Sequence, residues 1–472
     1  MKIQFCGAAR NVTGSAHLIT LDDGKKILLD CGLYQGHSSK MEELNREWFF
    51  KPSEIDYVVL SHAHIDHSGR LPQLVKDGYR GHIYSTHATR SLCAIMLLDS
   101  ARIQERDAEY FNKKQLKKKK RKRKPLKEPL YTPDDVAMTM PLFVGYSYEK
   151  WFRLSKNIKV LFRDAGHILG SASVTLEIKE NGKKTRIGFS GDIGRPHRPI
   201  LRDPVPMPKL DYLLCESTYG DREHEQLPAA SEKLLSIIKE TCIEKRGKLI
   251  IPAFSIGRTQ EIVYLLDKLS HYHKLPNIPV YVDSPLAVNA TVIFGSHPDC
   301  FDSELHEYML IDKNPFGFNN LKYIRNVQDS KLLNKLHKPA IIISASGMMT
   351  GGRIRHHVFN NIEDPSTTLL FIGYCAERTP CSIIKSGVDK IKMFGEWKQV
   401  NAEIITMDSF SAHGDKNEMY DFIKNQKNNL KHLFLVHGEI ESQTKFKKML
   451  NHKGFKSISI PKLGSQYKIN TK

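Results

Sequence analysis

Residues Ser61 to His67 read SHAHIDH and follow directly on an apolar run, Ile55 to Leu60 (IDYVVL). Three imidazoles and a carboxylate so close together supply the mixture of borderline-soft and hard donors that zinc accepts. The run before them reads as a buried strand. His62 and His64 share a face if that strand's geometry persists, so both can bind one ion. Asp66 and His67 lie past the bend, within reach of a second. A solvated strand-end loop could also carry histidines, but four donors at this spacing favour a metal. The feature therefore demands a sheet, with further ligands beyond the carboxyl ends of other strands.

Such residues exist. Asp30 follows KILL, His167 follows LFRDAG, Asp192 follows IGFSG and His437 follows LFLV. Any one of them could be a turn or capping residue. Taken together, His62, His64, Asp66, His67, His167, Asp192 and His437 are enough for two ions, provided Asp192 bridges them.

The arrangement of periods supports two kinds of sheet. Up to about residue 220 short β-rich runs dominate, at Lys2 to Phe5, His17 to Leu21, Lys26 to Leu29, Ile158 to Phe162, Ser173 to Ile178, Thr185 to Phe189 and Tyr212 to Cys215. A long helical period covers Ala88 to Tyr110. From Ala229 helices alternate with single strands at Lys248 to Ile251, Val280 to Asp283, Ala340 to Ser344 and Thr368 to Ile372, which predicts a parallel sheet in a second α/β domain. Strands at Ala402 to Met407 and Leu433 to Val436 are expected to return to the first domain. The expected division is thus 1–220, 221–396 and 397–472.

With 472 residues, two domains are the default. The net charge of +19 suits a polyanionic partner, but the stretch Lys113 to Lys127 carries 11 basic and no acidic residues, leaving +8 for the rest. This tract reads as a solvated loop, a targeting signal or an arm gripping phosphates. The eight cysteines lack CxxC spacing, which argues against a zinc ribbon and for reduced, mostly buried thiols in the cytoplasm. No apolar run is long enough to span a bilayer.

The order of elements resembles the metallo-β-lactamase superfamily: an aspartate after an early strand, HxHxDH, a histidine in GHxxG (Gly166 to Gly170) and an aspartate in SGD (Ser190 to Asp192). ESTYG (Glu216 to Gly220), SAHGD (Ser411 to Asp415) and HGE (His437 to Glu439) are similar to its nucleic-acid-processing β-CASP branch. So are FSIGRTQE, DSPLA and SASGMMTGGR. Within that branch the chain resembles the group containing the nuclease subunit of the mRNA 3′-end cleavage factor and its compact prokaryotic relatives. The resemblance implies an α/β fold, a metallo-β-lactamase αββα sandwich with an inserted α/β (β-CASP) domain, and substrate entry between the two.

The resemblance also implies roles. His62, His64, His167 and Asp192 would hold one zinc, and Asp66, His67, Asp192 and His437 the other. Asp30 would orient ligands, His413 would be the general acid, and Glu216 would accept its hydrogen bond. Branch members acting on DNA usually have valine where this chain has His437, so RNA is the expected substrate. Cleavage would be hydrolytic, and the sequence leaves open whether it is internal or also proceeds 5′ to 3′. The glycines of SASGMMTGGR, with Ser346, Gly347 and Arg353, could present amides to a phosphate or merely form a tight turn. Arg258 could contact RNA or brace Glu261. A DNA nuclease, a hydrolase of small thioesters or lactams, and a silent RNA-binding scaffold are the rival functions. RNA is the expected partner, a membrane is not, and the oligomeric state stays open between monomer and homodimer.

Overall fold

The computed structural model of the chain describes residues 1–36, 39–118, 124–224, 230–373, 375, 379–407 and 411–470. By its internal contacts the chain divides into two compact units. The first comprises Met1–Pro196, Asp203–Glu223 and His413–Lys472, and the second His197–Arg202 and His224–Ala412.

Among the described residues, the first unit contains β1 (Lys2–Phe5), β2 (His17–Thr20), β3 (Lys26–Leu29), β4 (Tyr57–Val59), β5 (His82–Thr86), β6 (Phe143–Tyr146), β7 (Phe152–Ser155), β8 (Ile158–Asp164), β9 (Ala172–Glu180), β10 (Lys183–Phe189) and β11 (Tyr212–Cys215). The second contains β12 (Lys248–Pro252), β13 (Val280–Asp283), β14 (Leu321–Tyr323), β15 (Ala340–Ser344), β16 (Thr368–Ile372), β17 (Lys390–Met393), β18 (Glu396–Gln399) and β19 (Glu403–Met407). The chain then returns to the first with β20 (His432–Leu435), β21 (Ile458–Ser459) and β22 (Gln466–Lys468).

Two seven-stranded sheets build the first unit, in the orders β22-β1-β2-β3-β4-β5-β6 and β21-β20-β11-β10-β9-β8-β7. Alternating residues of both sheets meet in one core, with Ile3, Phe5, Ile19, Ile27 and Val59 on one side and Phe162, Val174, Leu176, Ile187 and Phe434 on the other. The outer face of the second sheet is covered by the helices Lys416–Ile423 and Ile440–His452. Their Met419, Phe422, Phe446 and Leu450 pack on Leu213, Cys215, Leu433 and Leu435. Against the first sheet lies the long helix His87–Leu116, capped by the Thr86 hydroxyl accepting from the Thr89 N–H. The result is the αββα sandwich.

The second unit is built on a six-stranded sheet, β14-β13-β15-β12-β16-β19, parallel throughout. Burial on both faces explains why these strands read as unbroken apolar runs such as KLIIP and AIIIS. Two expectations change. β19, expected back in the sandwich, pairs in parallel with β16 over Thr368↔Glu403 to Ile372↔Met407, so this unit runs to Ala412 instead of stopping at 396. Cys375 and Cys381 form a disulfide, while the other six cysteines are free and buried as expected. No described helix is long and apolar enough to cross a membrane.

Candidate metal centre

Strand direction does the assembling. In the first sheet β3 and β4 run parallel, and in the second β8, β10, β11 and β20 share one direction. Their carboxyl ends deliver Asp30, His62, His167, Asp192, Glu216 and His437 to one edge of the first unit. β4 stops at Val59, and a short loop carries His62 and His64 into the helix Ile65–Ser68, which bears Asp66 and His67. Strand pairing therefore ends before His62 and His64, and the loop that carries them still converges both rings.

The loops around the site are tightly packed. Gly194 donates its N–H to the Ala165 carbonyl at 2.7 Å and bridges to His413. A Cβ at Gly194 would stand 1.9 Å from the Gly166 oxygen, so only glycine lets the His167, Asp192 and His413 loops meet. Asp30 and His437 both adopt left-handed backbone, φ 59° and 48°. Such conformations cost on the order of 1–3 kcal/mol and persist where surrounding structure enforces them.

One ligand set consists of His62 Nε2, His64 Nδ1, His167 Nε2 and Asp192 Oδ2. The separations are 3.1 Å (His62 to His64), 3.2 Å (His167 to His64), 3.4 Å (His62 to Asp192) and 3.5 Å (His167 to Asp192). A tetrahedron with such edges has its centre about 2 Å from each corner, the zinc–nitrogen distance. Around the other oxygen of Asp192 lies a second set. His67 Nε2 is 3.3 Å from Asp192 Oδ1 and 3.1 Å from His437 Nε2, which stands 3.6 Å from Asp66 Oδ2. Among the described residues Asp192 Oδ1 is buried and has no hydrogen-bond partner at ordinary geometry. A desolvated carboxylate oxygen left in that state is costly. The donor set thus fits metal binding, with His62, His64, His167 and Asp192 in one cluster and Asp66, His67 and His437 in another beside it.

In the first set the protonation states agree with that fit. In the second, against the opposing effect of burial, the Asp192 and Asp30 carboxylates on either side of His67 push its pKa well above the ordinary imidazole value, so a cation there would have to displace a proton. Burial pushes His62 and His167 well below the ordinary imidazole range, and lowers His64 to about 4 despite the opposing pull of Asp66 and Asp192. Their lone pairs are therefore available. For Asp192 burial opposes ionisation, but the surrounding imidazoles, led by His437 and His67, hold it well below the usual carboxylate value.

Asp30 is fully buried and organises this edge. It accepts from the Ser61 N–H at 2.8 Å, the Ser61 and Ser15 hydroxyls at 3.0 Å each, and His67 Nδ1 at 2.6 Å. His67 is thereby fixed with Nε2 toward the site. His413 Nδ1 lies 3.1 and 3.2 Å from the two Glu216 oxygens, and its Nε2 points inward, 4.0 Å from Asp192. Burial works against its protonation, but Glu216 and Asp192 outweigh that and push its pKa up to about 9.

Thr218 escaped the sequence reading, although ESTYG contains it. Its hydroxyl donates to Glu216 at 2.6 Å and lies 3.1 Å from His437 Nδ1, linking the acid pair to a ligand. The residues expected to bind substrate lie elsewhere. Arg258 is buried and pairs with Glu261, which also holds Arg198, the bracing role that is one of its two expected readings. Arg353 binds Asp283 at 2.7 Å and the Arg325 carbonyl at 2.7 Å. Ser346 and Gly347 sit in a turn where the Ser346 hydroxyl faces the Gly351 carbonyl at 3.4 Å, and Gly352 needs its positive φ. All four belong to the second unit.

Comparison with known proteins identifies the class. Residues 9–212 match the metallo-β-lactamase superfamily, 259–384 the β-CASP domain, and 397–461 a Zn-dependent metallo-hydrolase RNA specificity domain. The chain belongs to the β-CASP branch of the metallo-β-lactamase superfamily. It is 35% identical to ribonuclease TTHA0252 of Thermus thermophilus, covering 98% of this chain and 99% of that one. It is 30% identical to transcription termination factor FttA of Methanosarcina mazei (93% and 67% covered). Against cleavage and polyadenylation specificity factor 73 of Drosophila melanogaster it is 28% identical (95% and 61% covered).

Proposed function

We propose that this chain is a metal-dependent ribonuclease that hydrolyses internal RNA phosphodiester bonds with two zinc ions, leaving a 5′-phosphate and a 3′-hydroxyl. The observation that carries the reading is Asp192, a buried carboxylate with each oxygen facing a separate set of ligand nitrogens and carboxylates. The full-length likeness to a ribonuclease supports RNA as substrate. His62, His64, His167 and Asp192 would hold one ion, and Asp66, His67, His437 and Asp192 the other. A bound pair supplies charge neutralisation at the phosphate and an acidified water.

The chain's own residues do the rest. His413 keeps Nδ1 on Glu216, so its Nε2 proton is directed at the place where the leaving oxygen must depart. Thr218 holds the Glu216 carboxylate in the plane that fixes this tautomer. Asp30 holds His67 as a ligand, not as an acid.

Elemental analysis of purified protein should give two zinc equivalents per chain, and the protein should cut end-labelled RNA in preference to DNA of matching sequence. Cleavage of the DNA alone would overturn the substrate assignment, and fewer than two equivalents with full activity would overturn the paired site.

A further inference from the structure

The hairpin of β17 and β18 is a two-stranded sheet of its own within the second unit. Isolated hairpins of this size are marginal in water, and this one is fastened along one side. Ile391 and Met393 are buried with Ile354, Val358, Phe371 and Ile384. At the turn, Phe394 is stacked on His356 (ring centroids 4.7 Å apart, 18° between planes) and covered by the Arg355 guanidinium at 4.6 Å. Lys398 is tied to Glu363 at 2.9 Å and lies over the Phe359 ring.

The other side has no such use in the fold. The register pairs Lys392 with Trp397 and Lys390 with Gln399, and strand alternation puts these four on the face opposite Ile391 and Met393. Trp397 is 66% exposed, more than any other tryptophan in the chain. Lys390 and Lys392 are exposed and make no ion pair among the described residues. The acidic Glu396 pairs with Met393 and so falls on the other side.

We infer that Lys390, Lys392, Trp397 and Gln399 form a stacking platform for single-stranded RNA. An open indole accepts any base, and the adjoining unpaired ammonium groups match a phosphate backbone. A rigid, prefastened hairpin holds the ring in place before the strand arrives. The inference rests on RNA being the substrate and adds where in the second unit a stretch of it is held.

A fluorescein-labelled oligouridylate serves as probe, bound to full-length protein carrying His413→Ala so that the strand stays intact. Trp397→Ala should weaken binding about tenfold, the loss expected for one stacked base, while Trp397→Phe retains most of it. Lys390→Gln with Lys392→Gln should flatten the salt dependence by about 1.4 in log K per log salt, at roughly 0.7 per phosphate neutralised. With His413 intact, Trp397→Ala should leave turnover of bis(p-nitrophenyl) phosphate unchanged. Wild-type affinity in both the tryptophan and the lysine variants overturns the platform. So does a change in sedimentation without loss of RNA affinity, which would make the face a contact between copies. If the parent protein hydrolyses neither RNA nor the small diester, yet binds oligouridylate through Trp397, the nuclease reading falls and the platform stands.

Discussion

His413 illustrates how much a single side chain depends on its neighbours. With Nδ1 on Glu216 and Nε2 toward Asp192, it donates only from one atom, in one direction. Replacing it by alanine should lower the cleavage rate about 10² to 10⁴-fold while both metal equivalents remain, as measured by single-turnover kinetics and elemental analysis. Thr218→Val should cost less, about tenfold in rate, because Glu216 keeps its hydrogen bond from the Ile193 N–H. A shifted pH–rate profile in this variant would separate positioning from mere packing. In the second unit, Asp267 gives a cleaner pH signal, far from any ligand in sequence. Burial pushes its carboxyl up to about 7, partly opposed by the Tyr308 hydroxyl that donates at 2.7 Å and reinforced by Asp312. The folded chain therefore holds a proton that the unfolded chain has released above pH ~4, so stability is full below that point and falls as pH rises toward 7. Asp267→Asn should flatten the slope, by about 2 kcal/mol between roughly pH 5 and 8 in denaturant titrations. Equal slopes in the two proteins would refute the assignment.

At the scale of elements, the basic tract divides in two. Lys113 and Lys114 belong to the last turn of the helix His87–Leu116, and Lys117 and Lys118 follow it, all exposed. Residues 119–123 lie outside the described residues. The flanks are pinned where Asn112 exchanges two hydrogen bonds with the Lys127 backbone, at 2.8 and 2.9 Å, and Lys127 pairs with Glu42. Changing the four lysines to glutamine should weaken RNA binding and reduce its salt slope by roughly 0.7 for each phosphate they neutralise. An unchanged slope would leave them as a solvated helix end. The ends of strands were readable because apolar runs stop where ligand-bearing loops start, as at Val59, Phe189 and Leu435. The edge elements were not. β6, β7 and the hairpin of β17 and β18 are half exposed and carry no long apolar run, so nothing in their composition separates them from loops.

For the molecule as a whole, removal of metal is the decisive perturbation. The candidate ligands all lie in the sandwich unit, so cations that bind only its folded form stabilise it by RT ln(1 + [M]/Kd), about 4 kcal/mol at a thousandfold excess over Kd. Chelation should lower the unfolding temperature of that unit by on the order of 10 °C in calorimetry. An unshifted transition would mean that the ring nitrogens around Asp192 are content without cations. The sequence alone determined the donor inventory, the strand ends that carry it and the α/β class, because ligand chemistry and apolar periodicity are local properties of the chain. Only the tertiary structure decided that Arg258 braces Glu261, that β19 joins the parallel sheet, and that Asp192 presents one oxygen to each ligand set. Those outcomes depend on which distant groups meet, and that is set by packing and strand pairing, which no short stretch of residues encodes.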